Sequence, residues 1–279
     1  MQGNEKFLGR VASYAHKHAL WREGERILAA VSGGPDSLAL LLALKLLAVK
    51  EKINIGCCCV NHHLRAAAGK EAEFVESVCR EWNIPFILKE VNVQSAVRNG
   101  GSIETAARDL RYKALREAAR GGGYAKIAVA HHGDDQAETV LYHLLRGSGV
   151  TGLSGMKPIN GDIIRPFLCV SKNEIKDFLK DFSYVPCHDE SNDVEDAVRN
   201  RIRLSLVPEL ISYNPRVTES LRRTADIFRE EDLFMEEKAD VFISSCVEHD
   251  NDKCVFFIAY FLVLHIALQR RVIRKICCM

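Results

Sequence analysis

The chain has 279 residues, which is enough for one large domain or for a moderate domain with a smaller appendage. Its 38 lysines and arginines almost cancel its 37 aspartates and glutamates, so the overall charge does not indicate a nucleic-acid partner, and only local clusters could. An apolar fraction of 47% and a charged fraction of 27% are typical of a soluble globular protein with a sizeable core.

The cysteine pattern and the two ends of the chain bear on the cellular compartment. The ten cysteines form no C-x-x-C pair and no spacing typical of secreted disulfide-bonded domains, which indicates a reducing compartment. The first residues lack the apolar stretch of a signal peptide and fit an amphipathic helix. The apolar run at 255–268 is shorter than the roughly 18 residues of a membrane-spanning helix, so it predicts a buried helix in preference to membrane contact. We therefore expect a cytoplasmic protein with no membrane partner.

From Arg26 to about Phe167, short β-rich runs alternate with longer helical runs. This alternation is typical of a parallel sheet covered by helices. We expect five parallel strands within the runs RILAAVS, INIGCCCVN, PFILKEVNV, AKIAVAHH and IIRPFL, and four helices between them at 37–49, 69–82, 102–120 and 134–145. The predicted class is α/β, a five-stranded parallel sheet flanked by helices and followed by a small helical region.

The segment SGGPDS at 32–37 follows the first predicted strand and opens the first of these helices. Two glycines that tolerate positive φ let a phosphate approach the backbone, and the first turn of a helix leaves N–H groups available to an anion. Pro35 and Asp36 suit that first turn, while Ser32 and Ser37 add hydroxyl donors. A simple capped corner needs only one such polar residue, so the string favours an anion site.

Three carboxylates, Asp134, Asp135 and Glu138, lie at the start of the last of these helices, where spacings of three and four residues gather them. One acidic side chain would suffice to cap the helix or to interact with its dipole. Three mutually repelling carboxylates favour a bound cation, either Mg²⁺ or a substrate ammonium group. Because ligands bind beyond the carboxyl ends of parallel strands, we expect 32–37, 61–65 and 131–138 to meet at one rim.

Histidines and arginines offer further polar groups. The pairs His131–His132 and His62–His63 have no third ligand at a suitable spacing, so we expect them to form hydrogen bonds and not to bind zinc. The stretch at 199–229 contains seven arginines, no lysine and three acidic residues. This stripe follows an acidic loop and predicts a track for a phosphate backbone, although a solvated helix face is the simpler explanation for any single arginine.

The sequence after Phe167 loses the alternating pattern. Ser171 and Glu174 have the spacing of a capping box, which predicts that a helix begins there. The string YNP at 213–215 interrupts the helical pattern before a long charged helix. We therefore expect one domain at 1–213 and a helical C-terminal domain at 214–279.

Four strings carry a family resemblance. SGGPDS at 32–37 looks like the PP-loop of the ATP pyrophosphatases, which split ATP between its α and β phosphates. The resemblance narrows to the tRNA(Ile)-lysidine synthetases through SIETAARDLRYKAL at 102–115, AHHGDDQAETVLYHLLRGSGVTGLSGM at 130–156 and RNRIRLSLVPEL at 199–210. It extends from about Arg26 to Leu210, with a weaker match at 267–274. It implies an adenine nucleotide alpha-hydrolase-like fold, with 1–213 as the ATP-binding catalytic domain.

The resemblance implies a ligase that uses ATP and Mg²⁺ and acts on tRNA(Ile) with a CAU anticodon. In this family, ATP adenylates the C2 oxygen of the wobble cytidine with release of pyrophosphate, and free L-lysine then displaces AMP to leave lysidine. The attacking ε-amine must be neutral, so desolvation beside AMP has to lower its pKa. An anticodon-loop base is unstacked and can be reached without melting a duplex.

The resemblance also assigns roles to matching positions of this chain. The implied nucleotide contacts are Ser32, Gly33, Gly34, Pro35, Asp36, Ser37 and His131, with Asp36 also as the Mg²⁺ ligand. The implied catalytic and lysine-handling residues are Asp36, Asp135, Glu138, Arg108, Arg111 and Arg203. The implied contacts to tRNA or lysine are Asp134, Arg199, Asn200 and Arg201.

Several alternatives stay open. Many members of this family continue past the helix that contains LQRR, so the C-terminal domain here is expected to be a short or a truncated form. A tRNA thiolase of the same superfamily commonly needs a C-x-x-C motif, which this sequence lacks. A metabolite amide synthetase would leave the arginine stripe unexplained. A nucleotide-binding module without catalysis would have no use for three carboxylates at the rim. A homodimer is also left open.

Overall fold

The computed structural model describes residues 2–61, 68–92, 103–182, 197–250 and 253–277. The chain divides into two compact units. The first comprises Met1–Glu138 and Met156–Glu219, and the second comprises Thr139–Gly155 and Ser220–Met279. The domain boundary expected after residue 213 stays a prediction.

Within the described residues, a six-stranded sheet forms the centre of the first unit. Its strands are β1 (Arg26–Ala30), β2 (Asn54–Asn61), β3 (Phe86–Glu90), β4 (Lys126–Ala128), β5 (Ile159–Asn160) and β6 (Ile163–Ile164), in the spatial order β3-β2-β1-β4-β6-β5. All neighbouring strands are parallel except β5 and β6. The α/β class is confirmed, but the expected count of five strands is wrong. The additional strand is β5, which reverses onto β6 through Gly161 at φ +62°.

The helices expected between the strands are present. In chain order the helices described between residues 2 and 182 are α1 (Gln2–Lys17), α2 (Pro35–Glu51), α3 (Ala68–Glu81), α4 (Ile103–Gly121), α5 (Gly133–Leu145), α6 (Val150–Leu153) and α7 (Lys172–Lys180). The amphipathic first helix is confirmed as α1. The capping box is confirmed at α7, where the Ser171 side chain accepts the N–H of Glu174 and the Glu174 carboxylate accepts the N–H of Ser171.

Apolar side chains on both faces of β1 hold the helices against the sheet. Successive side chains of a strand point to opposite faces. Ile27 belongs to the larger cluster, with Leu40 of α2 and Phe167, whereas Leu28 belongs to the opposite cluster with Leu115 of α4. Burial on both faces explains why the strand reads as a continuous apolar run. It also fixes the end of β1, and with it the position of the glycine loop.

The first unit ends in a helix with a wider turn in its middle. This segment consists of α8 (Ala197–Arg201), a π-helical turn at Ile202–Leu206 and α9 (Val207–Tyr213). The N–H of Val207 donates to the carbonyl of Ile202, five residues earlier. Pro208 follows directly, has no N–H to offer and crowds the carbonyl four residues before it, which disfavours a regular α turn there.

The second unit contains α10 (Val217–Cys246), the antiparallel hairpin β7 (Val247–Asp250) and β8 (Lys253–Phe256), α11 (Ile258–Leu262) and α12 (Ile266–Ile276). The helical C-terminal region is confirmed, and it also includes this hairpin. The buried helix expected at 255–268 is wrong, because the run is divided among β8, α11 and α12. Many of its side chains are exposed, including Phe257 at 73% and Val263 at 82%.

A small core and an ion-pair network join α10 to α12. Phe242 and Ile243 of α10 pack with Val272 of α12. Beside them, Arg271 Nη1 lies 2.6 Å from Asp232 Oδ1 and 2.5 Å from Glu236 Oε1. None of the helices in the described part of the chain has the length and hydropathy of a membrane span.

Candidate active site

Hydrogen bonds between the two ends of the glycine loop close it after β1. Ser37 Oγ donates to the carbonyl of Gly34 at 3.0 Å and accepts the N–H of Ser32 at 3.1 Å. Gly34 is the N-cap of α2, with Pro35 at the first helical position, and no side chain caps this end. The N–H groups of the first turn are therefore not taken up by a cap and point away from the helix.

Gly33 is required by both its conformation and its surroundings. Its φ is +86°, which favours glycine. A Cβ at this position would lie 3.3 Å from Cβ of Glu71, on α3. Helix α3 thus packs directly on the loop, and a side chain at this position would have to displace Glu71 slightly.

Asp36 connects the loop to the segment after β4. Its Oδ2 lies 3.7 Å from Nε2 of His132, while its Oδ1 is buried and has no hydrogen-bond partner among the described residues. Segments 32–37 and 131–138 therefore meet, as expected for parallel strands on either side of the point where strand order reverses. Asn61 ends β2, and residues 62–65 of the expected rim lie outside the described part of the chain.

The buried imidazole of His132 lies among carboxylates. Its Nδ1 is 3.6 Å from Asp134 Oδ2 and 3.5 Å from Asp135 Oδ2. Burial alone would lower the pKa of His132, but the carboxylates of Asp135, Asp36 and Asp134 outweigh burial and raise it. The imidazolium form is thereby favoured, and it lowers the mutual repulsion of these acids.

The three clustered carboxylates have different partners. Asp134 Oδ2 accepts the N–H of Lys172 at 2.7 Å, at the start of α7. Asp135 Oδ2 accepts the N–H of His132 at 2.9 Å. The spacing rule placed these acids on one helix end correctly, but it could not show that Asp134 turns toward another helix.

Glu138 forms the strongest ion pair of the site. Its two oxygens accept from Arg203 Nε at 2.8 Å and Arg203 Nη2 at 3.0 Å, and its side chain is 6% exposed. Arg199 Nε lies 4.0 Å from the same carboxylate. Arg203 Nη2 also reaches Asp135 Oδ1 at 3.5 Å. The 199–210 motif thus meets the acid cluster through arginine–carboxylate pairs.

These charges set the ionisation of Asp135. Burial would raise the pKa of Asp135, but the imidazolium and the N–H of His132 and the guanidinium of Arg203 lower it below its usual value. The carboxylate is therefore ionised at neutral pH. An ionised carboxylate is the form that makes charge-assisted hydrogen bonds to a cation.

The neighbouring His131 is held neutral. Burial, together with the cationic Arg165, Arg108 and Arg199, lowers the pKa of His131 to about 3, although Asp135 opposes the shift. Its Nδ1 is buried without a hydrogen-bond partner among the described residues. A neutral imidazole here can donate or accept a hydrogen bond but carries no charge to a ligand.

Two further polar residues of this region, Arg165 and Gln136, were not expected from the sequence. Arg165 is 7% exposed and donates from Nη1 to the carbonyl of Lys157 at 2.8 Å, while its burial lowers its pKa. Gln136 accepts the N–H of Met156 at 2.7 Å and donates to the carbonyl of Met156. The position of Arg165 directly after the apolar pair of β6 could have indicated its role from the sequence. Nothing in the residue spacing indicates the role of Gln136.

The remaining expected site residues lie nearer the surface. Arg108 stacks on Tyr112, with 5.2 Å from its Cζ to the ring centroid, and is exposed on α4 with Arg111. On α8, Arg201 is exposed and Asn200 is half-buried. These positions are accessible to a large ligand.

The triple cysteine of β2 is part of the core. Cys57, Cys58 and Cys59 are buried and unbridged, and burial raises the pKa of Cys58 and of Cys59 to about 12. Such thiols are poor nucleophiles at neutral pH. Among the described residues, no group of three or more His, Cys, Asp or Glu side chains is arranged to hold a metal ion by itself.

Comparison with known proteins extends these observations. The PP-loop domain model ATP_bind_3 matches residues 5–210. The tRNA(Ile)-lysidine synthase of Caldanaerobacter subterraneus subsp. tengcongensis is 37% identical over 269 residues, which are 95% of this chain and 58% of that protein. That of Geobacillus kaustophilus is 36% identical over 273 residues, 96% of this chain and 59% of that protein. The chain thus spans about three fifths of the length of these relatives.

A solved structure shares the fold. The U34-tRNA thiolase NcsA from Methanococcus maripaludis, with its 4Fe-4S cluster, has a TM-score of 0.65 and covers 81% of this chain and 80% of its own. At 17% sequence identity, this likeness concerns the arrangement of strands and helices.

Proposed function

Since this chain belongs to the PP-loop domain family, we propose that it joins lysine to C2 of the wobble cytidine in the CAU anticodon of tRNA(Ile), at the expense of ATP. The observation that carries the proposal is the contact between the glycine loop and the acid cluster through Asp36 and His132. This contact supports the proposal of a site for phosphates beside a site for an ammonium group. The names of the relatives support the same reaction.

In the first step, the glycine loop and the first turn of α2 bind the pyrophosphate portion of ATP. The C2 oxygen of cytidine attacks the α-phosphorus, the bond to the β-phosphate oxygen breaks, and pyrophosphate leaves. Asp36 Oδ1 has no hydrogen-bond partner in the described part of the chain, and a carboxylate oxygen of this kind would hold Mg²⁺. Bound Mg²⁺ would neutralise charge on the phosphates. Asp36 thereby holds the ion where the loop holds the anion.

In the second step, Asp135 and Glu138 bind an ammonium group of lysine and orient the molecule. Its neutral ε-amine attacks C2 of the adenylated cytidine, the C2–oxygen bond breaks, and AMP leaves with that oxygen. The lowered pKa of Asp135 keeps this carboxylate ionised for the task. Arg108 and Arg111 on α4 are assigned to the reacting groups, as are Arg199 and Asn200 on α8.

For the tRNA we propose a backbone contact through the exposed arginines of 199–229. Arg201 and Arg216 are exposed in the first unit, and Arg223 is exposed in the second. Arg203 and Arg229 are held by acidic side chains and are not offered to phosphates in this state. The proposed ligands are tRNA(Ile), L-lysine and ATP with Mg²⁺. We also propose that the protein acts in the cytoplasm and that it can form a homodimer.

The decisive experiment is transfer of labelled lysine to an isoleucine tRNA transcript with a CAU anticodon, in the presence of ATP and Mg²⁺. An elongator methionine tRNA, which has the same anticodon, serves as the control substrate. We expect label in the isoleucine transcript alone, and AMP release that requires it. AMP release with tRNA but without lysine transfer would contradict the proposal and favour the thiolase alternative.

A further inference from the structure

Arg203 occupies the place that the proposed function reserves for a substrate ammonium group. Its Nη2 lies 3.0 Å from Glu138 Oε2 and 3.5 Å from Asp135 Oδ1, and its Nε lies 2.8 Å from Glu138 Oε1. A single guanidinium therefore bridges the two carboxylates to which we assign lysine. Fork-shaped donation to both oxygens of a carboxylate is among the stronger polar contacts in proteins.

The oxygens of these carboxylates are already engaged. Both oxygens of Glu138 accept from Arg203, while Asp135 Oδ1 faces Arg203 Nη2 and Asp135 Oδ2 accepts the N–H of His132. The side chains of Glu138 and Asp135 are only 6% and 15% exposed, so water has little access to them. An ammonium group that binds to this shielded pair must therefore displace one of the donors.

Arg203 is the residue that can leave. Its side chain is 24% exposed, and it projects from the π-helical turn at Ile202–Leu206. A guanidinium also pairs with phosphate in the same bidentate manner as with carboxylate. The glycine loop, which we assign to the phosphates, reaches the same cluster through the contact of Asp36 with His132.

We propose that Arg203 is a positioning residue that holds the ammonium-binding carboxylates until a nucleotide binds and then gives them up to lysine. Lysine replaces the guanidinium, and the guanidinium turns to the nucleotide phosphates. This inference rests on the proposed function and adds an order of binding to it, with nucleotide before lysine. By linkage, lysine then strengthens nucleotide binding by the same factor.

Equilibrium dialysis of labelled L-lysine against the full chain tests the exchange. The measurement is made with and without α,β-methylene-ATP and Mg²⁺, since this analogue resists cleavage between the α and β phosphates. We expect the nucleotide to tighten lysine binding by about tenfold or more in the natural chain. In Arg203→Gln, lysine should bind tightly with and without the nucleotide analogue, because the guanidinium no longer occupies the carboxylates of Glu138 and Asp135.

Two further variants control the interpretation. Arg203→Lys keeps the charge but loses the fork, so its coupling should be intermediate. Arg80→Gln removes a guanidinium from an exposed pair with Glu76 on α3, and it should leave the coupling unchanged. Thermal melting of all variants establishes that they are folded.

Either of two results would overturn the inference. One is equal lysine affinity of the natural chain with and without the nucleotide analogue. The other is weaker lysine binding by folded Arg203→Gln than by the natural chain when nucleotide is absent. If lysine is still transferred to tRNA(Ile) in these cases, the inference fails and the proposed function stands. If lysine binds in neither condition and is not transferred, both fail.

Discussion

The glycine loop and the acid cluster share one site but are built in different ways. The loop is shaped by backbone conformation and by hydrogen bonds among its own residues, and Asp36 Oδ1 has no hydrogen-bond partner among the residues that the structure describes. The cluster consists of side-chain charges that satisfy one another, above all Glu138 and Arg203. A site of the first kind is preorganised for its ligand, whereas a site of the second kind must exchange partners before it binds.

The loop gives the largest expected effect. Asp36→Ala removes both the buried Oδ1 and the contact with His132, so AMP release in the presence of tRNA should fall by about 10³-fold, close to 4 kcal/mol of transition-state stabilisation. The melting temperature should stay nearly unchanged because Asp36 Oδ1 makes no hydrogen bond to any described residue, so its removal breaks none there. Undiminished AMP release from this variant would remove Asp36 from its assigned role.

The cluster should respond in lysine dependence. Glu138→Ala removes the carboxylate that we assign to the ammonium group, so the lysine concentration for half-maximal rate should rise by about tenfold or more, while ATP dependence changes little. Glu76→Ala, which deletes an exposed carboxylate on α3, is the matched control. An unaltered lysine requirement in Glu138→Ala would show that the ammonium group binds elsewhere.

A pair of glycines separates backbone strain from loss of the ligand site. Gly24→Ala and Gly33→Ala both place a side chain at positive φ, +83° and +86°, which costs about 1–2 kcal/mol of unfolding free energy. Only Gly33→Ala also brings a Cβ to 3.3 Å from Glu71, whereas nothing lies within 4 Å at Gly24. Urea unfolding should show that Gly33→Ala loses as much stability as Gly24→Ala or more. ATP-binding measurements should show a loss of affinity in Gly33→Ala alone. Equal ATP affinity in both variants would contradict this account of the loop.

Asp134 tests whether the cluster acts as a unit. Since its Oδ2 accepts the N–H of Lys172 at 2.7 Å, Asp134→Ala should lower the free energy of unfolding by about 1 kcal/mol, as for loss of a helix cap. The lysine requirement should change far less than in Glu138→Ala. A shift of equal size in both variants would mean that Asp134 binds the ammonium group together with its neighbours.

The smallest effect concerns pH and lies outside the site, at the start of α7. Burial would raise the pKa of Glu174, but the N–H of Ser171 and the guanidinium of Arg10 lower it. Because the folded pKa is depressed, this stabilisation is present above the unfolded value and is lost as pH falls through the folded one. The unfolding free energies of the natural chain and Glu174→Gln should differ by under about 1 kcal/mol at pH 7 and converge as pH falls through the lowered pKa of Glu174. A difference that persists at low pH would indicate a packing effect.

Much of the fold of the first unit was predictable because its signals are local. Four helices and five strands follow from the alternation of short β-rich runs with longer helical runs, and β1 has a continuous apolar pattern because it is buried on both faces. The glycine loop was recognisable from its density of polar and turn residues, and its meeting with the acid cluster follows from the geometry of parallel strands. Strand β5 was missed since two residues, Ile159–Asn160, are too few to show a period.

Other features depend on contacts that no local pattern records. The partner of each carboxylate is set by which helix end or arginine lies opposite, so the turn of Asp134 toward Lys172 could not be read from its spacing. The apolar run at 255–268 has the composition of a buried helix, yet Phe257 and Val263 are largely exposed, because burial depends on a facing surface and composition does not supply one.

The π-helical turn at Ile202–Leu206 has a consequence for how this segment tolerates insertion and deletion. Such a turn accommodates one residue more than an α turn, so α9 is rotated by about 100° from the orientation it would have in an uninterrupted helix. Arg199 and Arg203 precede or begin this offset and keep their register with Glu138. Loss of a single residue just after Arg203 would return α9 to regular register while sparing both arginines. A one-residue insertion or deletion in this turn would therefore change the orientation of α9 and leave the position of Arg199 on α8 unchanged.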